Sequence, residues 1–91
     1  MVLISYDISD DKLRTKFSKF LSKFGYRIQY SVFKIENSER MLSIITDEID
    51  NKFSKKFSQS DSVYIFKLSS SCKVVKYGYA ANEDKNAIFV K

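Results

Sequence analysis

Histidine, proline and tryptophan are absent from this chain of 91 residues, and Cys72 is its single cysteine. Without histidine and with one cysteine, the chain cannot build the usual Cys/His zinc site or an internal disulfide. Its apolar runs are far shorter than the roughly 18 residues that a membrane span needs. Met1 leads into strand-like residues without a basic leader segment. We therefore expect a cytoplasmic protein with no membrane partner.

Size and charge limit the function further. A chain of 91 residues forms one small domain, which buries only about 60–65% of its unfolded surface, so association with another chain is expected. The formal net charge of +5 favours polyanionic partners such as nucleic acid. A lysine-rich composition without proline also arises in AT-rich genomes, so the charge alone does not establish binding.

The first two elements are a strand and a helix. Residues 2–7 form an apolar run that closes at Asp7, which predicts a buried strand. Ser9 or Asp10 can cap the helix that follows, and Gly25 is placed to end it. The buried face of this helix is defined by apolar residues at helical spacing, which are Leu13, Phe17, Phe20, Leu21 and Phe24.

The remaining elements are strands and one more helix. Residues 27–35 alternate apolar and polar side chains, which predicts a single strand. A second helix opens at residues 37–38, and further strands are predicted at residues 61–68, 73–77 and 87–90. The apolar stripe of the second helix consists of Leu42, Ile45, Ile49, Phe53 and Phe57.

The order of elements is interpreted as βαββαβ followed by a terminal strand. Two βαβ-like halves with both helices on one face of an antiparallel sheet form a ferredoxin-like α+β sandwich, which we predict as a single domain over residues 1–91. Residues 78–91 are a C-terminal extension in this interpretation. Their apolar tetrapeptide either returns to its own sheet or extends the sheet of a partner subunit.

Alternation along the strands divides their side chains between two faces of the sheet. Tyr6 is expected on the face that the helices cover, whereas Ser5 and Asp7 are expected on the opposite, open face. In the second strand, the mixed polar and apolar set is assigned to the open face. The residues that we expect together there are Ser5, Asp7, Arg27, Gln29, Ser31 and Phe33. Such a face is typical of a dimer interface or of a binding surface.

Asp7 is the acid best placed for chemistry. A charge at the end of a hydrophobic strand is costly unless a metal, a cation or water compensates it. One carboxylate rarely holds Mg²⁺ alone, but a twofold dimer would bring a second Asp7 across the axis. A shared metal with a bound water as nucleophile would then suit phosphodiester cleavage. The alternatives are that Asp7 simply ends the strand, or that it pairs with Arg14 or Arg27.

Lysines form a row on the first helix, beside its apolar stripe. At about 100° per residue they fall within an arc of roughly 60°, and their positions are Lys12, Lys16, Lys19 and Lys23. Such a row can follow a phosphate backbone without sequence preference, although a solvated lysine face is the commoner explanation. A second and less regular cluster consists of Lys52, Lys55 and Lys56.

Two blocks of the sequence resemble one protein family. Residues 6–14 begin with Tyr-Asp-Ile and lead into a basic helix, and residues 25–33 combine Gly, Arg and the run Gln-Tyr-Ser-Val-Phe. In this order and at this separation they resemble the second CRISPR-associated (Cas) protein family, the small partner of the spacer integrase. The blocks cover the first third of the chain closely, and the rest matches as a pattern of elements.

The resemblance implies a homodimer of ferredoxin-like subunits whose C-terminal strands complete the partner's sheet. It implies one Mg²⁺ per dimer, shared between the two Asp7 residues, and a metal-dependent endoribonuclease, with cleavage of double-stranded DNA in some members. It also implies a scaffold that binds a CRISPR integrase subunit and duplex pre-spacer DNA or single-stranded RNA. The scaffold and the nuclease are separate hypotheses, and both stay open at this point.

Carried over by position, the resemblance assigns roles to particular residues. Catalytic roles fall to Asp7, Tyr6, Arg14, Arg27 and Phe33. Contacts with nucleic acid fall to Lys12, Arg14, Lys16, Lys19 and Lys23. Lys16 stands where members often carry arginine, so it lacks the guanidinium fork. A virulence-associated D type toxin ribonuclease shares the fold and is the alternative, which a free-standing gene would favour.

Overall fold

The computed structural model describes residues 1–35, 39–69, 71–73, 75 and 77. The chain order is the predicted βαββαβ, although the two strands between the helices both come from residues 25–35, where the alternation predicts a single strand. The elements are β1 (Val2–Asp7), α1 (Asp11–Leu21), β2 (Gly25–Gln29), β3 (Val32–Ile35), α2 (Glu39–Glu48) and β4 (Ser62–Lys67). The second helix continues beyond α2 as a π-helical turn, Ile49–Phe53, and a 3₁₀ turn, Ser54–Lys56. The predicted helix start at 37–38 and the strand at 87–90 lie outside the described residues, as does part of the predicted strand at 73–77.

The four strands form one antiparallel sheet in the order β2-β3-β1-β4. Each helix connects two strands that are not neighbours, so the two βαβ units interleave and leave β4 and β2 at the edges. Residues of both helices pack against the same side of β1 and β3. This arrangement is the predicted ferredoxin-like α+β sandwich. In the described part of the chain, no helix is both long enough and apolar enough to span a membrane.

Aromatic rings fill the centre of the core. Phe17 is fully buried, and its ring meets Tyr6 and Phe53 edge-on at centroid distances of 5.1 Å and 5.0 Å. Such edge-to-face pairs stabilise a core beyond the apolar area that they bury. The predicted stripe of the second helix is confirmed, because Leu42 and Ile45 are buried with Phe53, while Ile49 and Phe57 pack against the same cluster.

Helix α1 begins as expected and ends earlier than expected. The Asp10 carboxylate accepts a hydrogen bond of 2.8 Å from the Leu13 N–H, which satisfies one of the free donors of the first turn. The helix ends at Leu21 with Ser22 as its cap, so the prediction that Gly25 ends it is wrong. Gly25 instead opens β2, where a Cβ would lie 2.9 Å from the Ile35 Cα and closer still to a carbonyl oxygen of β3.

The predicted single strand over residues 27–35 is a hairpin. A turn at residues 30–31 separates β2 from β3, and the register shifts between Arg27 and Gln29. The turn and the irregularity break the alternation that the sequence suggests. Tyr30, expected inside the strand, is 82% exposed at the tip of the hairpin.

Candidate functional site

Tyr6 and Asp7 are adjacent in β1 and lie on opposite faces of the sheet. Tyr6 is buried among the core residues that the helices cover. Asp7 is exposed, opposite Ser62 of β4, on the face that carries no helix in the described part of the chain. The predicted division of β1 between a covered and an open face is therefore confirmed.

The open face carries large apolar side chains next to Asp7. Tyr64 and Phe66 of β4 are 61% and 45% exposed, and their rings stack with centroids 6.2 Å apart. Across β1, Ser5 lies opposite Tyr64 on one side and Val32 on the other. Exposed apolar side chains grouped in this way mark an interaction surface more often than isolated ones do.

The prediction puts Arg27 and Phe33 on the wrong face of the sheet. Arg27 pairs with Phe33 across the hairpin, and Phe33 in turn lies opposite the buried Ile4. Residues that lie opposite each other in a ladder share a face, so Arg27 and Phe33 lie on the side of the helices. Phe33 is buried, and the Arg27 guanidinium carbon lies 5.4 Å from its ring centroid.

Of the other residues predicted on the open face, Gln29 lies there and Ser31 lies in the hairpin turn. Gln29 is exposed and lies opposite Val32, which pairs with Ser5, so Gln29 shares the open face with Asp7. Ser31 lies in the turn, where its carbonyl oxygen accepts a hydrogen bond of 3.0 Å from the Tyr6 N–H. The hairpin accounts for the error, since its turn and register shift change which residues face the helices.

A pocket on the helix side collects most of the residues to which the resemblance assigns catalysis. Its volume is about 220 Å³, and its lining consists of Tyr6, Arg14, Thr15, Ser18, Arg27 and Tyr30. Phe33 backs the pocket, because its ring stacks on Tyr6 at 6.2 Å. Four of the five residues are thus brought together, while Asp7 lies on the other face. We name this cavity the Tyr6 pocket.

Charge and hydrogen bonding organise the Tyr6 pocket. Burial raises the pKa of the Tyr6 hydroxyl, and the guanidinium groups of Arg27 and Arg14 offset part of that rise. Arg14 donates a hydrogen bond of 2.9 Å to the Ile8 carbonyl oxygen and forms an ion pair with Asp11. The Tyr6 hydroxyl is therefore protonated at neutral pH and lies beside two cations.

Sequence reasoning missed three residues of the Tyr6 pocket. Ser18 follows Arg14 by four residues, which places both on one side of α1, and this spacing was a usable signal. Thr15 carries no such signal. The alternation predicts Tyr30 inside a strand, and only the position of the turn reveals that it lines the rim.

The lysines of α1 border a groove between the two helices. All four lysines of the predicted row are exposed, and three of them line a cavity of about 420 Å³ together with Lys52 and Lys56 of the second helix. The apolar lining comes from Leu13, Phe20 and Phe53. The lysines that line this groove are Lys16, Lys19, Lys23, Lys52 and Lys56. We name it the lysine groove.

The lysine groove adjoins a second recess and has one acidic residue in its lining. Lys12 borders an adjoining recess that also contains Lys16 and Lys56. Glu48 lines the groove and pairs with Lys52 at 3.8 Å. The two lysine clusters that the sequence presents separately thus meet at one surface, although Lys55 is not part of its lining.

The proposed structural role for Asp7 as an ion-pair partner is not observed. Arg14 pairs with Asp11, Arg27 lies on the other face, and no ion pair within the described residues joins Asp7 to either arginine. The same part of the chain holds no cluster of three or more potential metal ligands. Within these residues, Asp7 has neither an arginine partner nor a metal-binding cluster around it.

Comparison with known sequences places these features in a family. The family model described as CRISPR associated protein Cas2 matches residues 1–75. A relative from Mycobacterium tuberculosis is 35% identical over 77 residues, which cover 85% of this chain and 65% of the relative. A relative from Rhodospirillum rubrum is 30% identical over 83 residues, covering 91% and 64%. Both carry the name CRISPR-associated endoribonuclease Cas2, and this chain spans just under two thirds of their length.

Solved structures agree with the fold. A hypothetical protein of Thermus thermophilus is similar with a TM-score of 0.69 and 26% identity, covering 87% of this chain and 93% of that one. Streptococcus pyogenes Cas2 superposes with a TM-score of 0.63 over 77% of this chain and 87% of its own, and at 23% identity it supports the fold alone. With the family match over residues 1–75, the chain belongs to the CRISPR-associated protein Cas2 family.

Proposed function

We propose that this chain is a homodimeric, nucleic-acid-binding protein of CRISPR adaptation in the cytoplasm, and that its dimer cleaves phosphodiester bonds with Mg²⁺ held between two Asp7 residues. The observation that carries the proposal is the position of Asp7. It is exposed on an open sheet face whose neighbouring side chains, Tyr64 and Phe66, are apolar and exposed. Packing this face against a second copy would bring a second Asp7 towards the first.

Dimer formation is supported by the sheet itself. An open face with exposed aromatic rings gains stability when a symmetric partner covers it. In the described part of the chain, β4 is an edge strand, and such an edge can pair with a further strand through its backbone. Residues 78–91 of the partner are the proposed source of that strand.

The dimer proposal is tested with a matched pair of substitutions. Phe66→Lys places a charge on the open face, whereas Ile44→Lys places one on α2 at a residue of similar exposure, 47% against 45%. We expect Phe66→Lys to shift the mass measured by light scattering from dimer to monomer, because the interface would bury an unpaired charge. Ile44→Lys should remain dimeric. A dimer that survives Phe66→Lys would exclude the open face as the interface.

The donor chemistry at Asp7 suits a hard divalent cation. Mg²⁺ prefers oxygen ligands and usually binds through one or two carboxylates with several waters, and two Asp7 side chains would supply that number. When bound, Mg²⁺ would stabilise the negative charge that develops on a phosphodiester during cleavage. Asp7 itself would hold the metal at the open face, where substrate can approach it.

Asp7→Asn tests the metal and the reaction together. The substitution keeps the shape of the side chain and removes its charge, and Asp47→Asn on α2 is the matched control, since Asp47 is also exposed. We expect the parent and Asp47→Asn to cleave RNA or duplex DNA only with Mg²⁺, and Asp7→Asn to lose cleavage. Mg²⁺ should also raise the melting temperature of the parent dimer and not that of Asp7→Asn. Equal activity in all three proteins would refute the proposal.

A scaffold role is supported by the lysine groove. Five lysines around one cavity provide the kind of positive surface that binds a phosphate backbone without reading sequence. We propose that this surface binds duplex pre-spacer DNA while a CRISPR integrase subunit docks on the dimer. The family match gives no support to the toxin alternative. If spacer acquisition survives Asp7→Asn, the scaffold role is independent of cleavage.

A further inference from the structure

The Tyr6 pocket contains a positive charge that no carboxylate of the described residues neutralises. Arg14 forms an ion pair with Asp11, but no carboxylate in the part of the chain that the structure describes pairs with Arg27. Arg27 is half-buried between the Phe33 ring and Tyr6. A half-buried guanidinium without a carboxylate partner has N–H donors available for an anion.

The surroundings of Arg27 fix its orientation. The guanidinium lies 5.4 Å from the centroid of the buried Phe33 ring, and Phe33 is stacked on Tyr6. A planar fork held in this way loses little conformational entropy when it binds phosphate. The Tyr6 and Thr15 hydroxyls line the same cavity and can donate hydrogen bonds, whereas the Ser18 hydroxyl donates at 3.2 Å to the Thr15 carbonyl oxygen.

Tyr30 adds an aromatic surface at the rim. It lines the Tyr6 pocket at the hairpin tip and is 82% exposed, and within the described residues no other ring packs on it. Exposed aromatic rings beside a cationic site are the usual means by which proteins stack unpaired bases. The bases of a duplex are already stacked on each other, so this rim favours a single strand.

We infer that the Tyr6 pocket binds one nucleotide of a single-stranded nucleic acid, with its phosphate on Arg27 and Arg14 and its base on Tyr30. The cavity of about 220 Å³ is smaller than the roughly 300 Å³ at which pockets for drug-sized ligands begin, so it holds a phosphate and its sugar rather than a length of strand. The inference deepens the proposed function, because it names the part of a substrate that the helix side of the sheet would hold.

The test measures binding without cleavage. A short single-stranded oligonucleotide containing 2-aminopurine is titrated with protein in EDTA, because stacking on an aromatic ring quenches its fluorescence. We expect quenching by the parent and by Tyr30→Phe, and its loss in Tyr30→Leu with an affinity about fivefold or more weaker. Tyr77→Leu is the matched control, since Tyr77 is 81% exposed and is not part of the pocket lining.

Arg27 is tested in the same assay. Arg27→Gln should weaken binding by about tenfold or more, because a charge-assisted contact is lost, and Arg27→Lys should restore only part of it. Arg40→Gln, an exposed arginine of α2 outside the pocket, should bind like the parent. Because Arg27→Gln also removes a packing contact, Tyr30→Leu at an exposed position keeps the test valid if Arg27→Gln fails to fold.

The source of the phosphate is distinguished by competition. An unlabelled single strand should displace the probe better than a nucleoside monophosphate, which should act better than inorganic phosphate. A duplex of the same sequence that contains 2-aminopurine should bind without Tyr30-dependent quenching. Equal competition by inorganic phosphate would reduce the pocket to a general anion site and overturn the inference, as would quenching that survives Tyr30→Leu.

Failure of the Tyr6 pocket as a nucleotide site can be distinguished from failure of the proposed nuclease activity. Quenching is read in EDTA and depends on Tyr30, whereas cleavage depends on Asp7, which lies on the opposite face of the sheet. Quenching that depends on Tyr30, in a protein that never cleaves, would support the pocket and refute the nuclease. Cleavage that depends on Asp7, in a protein whose quenching ignores Tyr30 and Arg27, would support the nuclease and refute the pocket.

Discussion

Neutralising one wall of the lysine groove should change how strongly salt weakens duplex binding. The triple substitution Lys16→Gln, Lys19→Gln, Lys23→Gln removes three exposed cations from α1 and leaves Lys52 and Lys56 opposite. Each phosphate contact contributes about 0.9 to the slope of log K against log salt, so three contacts contribute about 2.7 per subunit. The slope should therefore fall by up to that amount, and binding at low salt should weaken most.

A matched triple separates a groove from net charge. Lys55→Gln, Lys67→Gln, Lys73→Gln also removes three exposed lysines, from positions outside the groove lining. Both triples lower the formal net charge of +5 by the same amount. We expect the second triple to retain most of the parent's slope, because the groove is intact.

The assay is fluorescence anisotropy of a labelled duplex over a range of KCl concentrations, with circular dichroism to confirm that each variant is folded. Equal slopes for the two triples would show that binding follows overall charge, and the proposed duplex surface would be refuted. A parent slope that the groove triple leaves unchanged would place the duplex elsewhere on the molecule.

Two further predictions concern residues that stabilise the fold, Gly25 and Asp61. Gly25→Ala should destabilise the fold by about 1–3 kcal/mol in urea denaturation, because the added methyl would overlap the β3 backbone; unchanged stability would contradict the close approach. Hydrogen bonds from the Ser9 and Ser58 N–H groups lower the pKa of the Asp61 carboxyl from 3.8. Its stabilisation is therefore present above 3.8 and lost as pH falls through the lower folded value, so Asp61→Asn should show a shallower acid denaturation profile by circular dichroism.

The elements with strong local periodicity are those that the sequence predicts well. Alternation along β1 places Tyr6 inside and Asp7 outside, because a buried face selects one register of a strand. The helical stripes are equally well predicted, since Phe17 and Ile45 are fully buried where the spacing indicates. In these segments, local pattern and burial point to the same structure.

The hairpin is where local pattern fails. The turn at residues 30–31 is made by Tyr30 and Ser31 and contains neither glycine nor proline, so the usual signal for a turn is missing. The shift after Arg27 then changes the phase of the strand. Both features depend on pairing with β1 and on the core position of Phe33, and neither is visible from residues 27–35 alone.

This error matters for the site because it moves Arg27 from one side of the sheet to the other. With Arg27 beside Asp7, the two would form an ion pair or a single polar cluster. With Arg27 beside Tyr6 and Phe33, its charge has no carboxylate partner among the described residues, and no ion pair there joins Asp7 to an arginine. Because successive residues of a strand face opposite ways, Tyr6 and Asp7 would place the proposed anion-binding pocket and the proposed metal-binding carboxylate at one strand end. A nucleotide in the pocket would therefore lie near the end of β1, where the nucleic-acid strand that continues from it can pass to the open face.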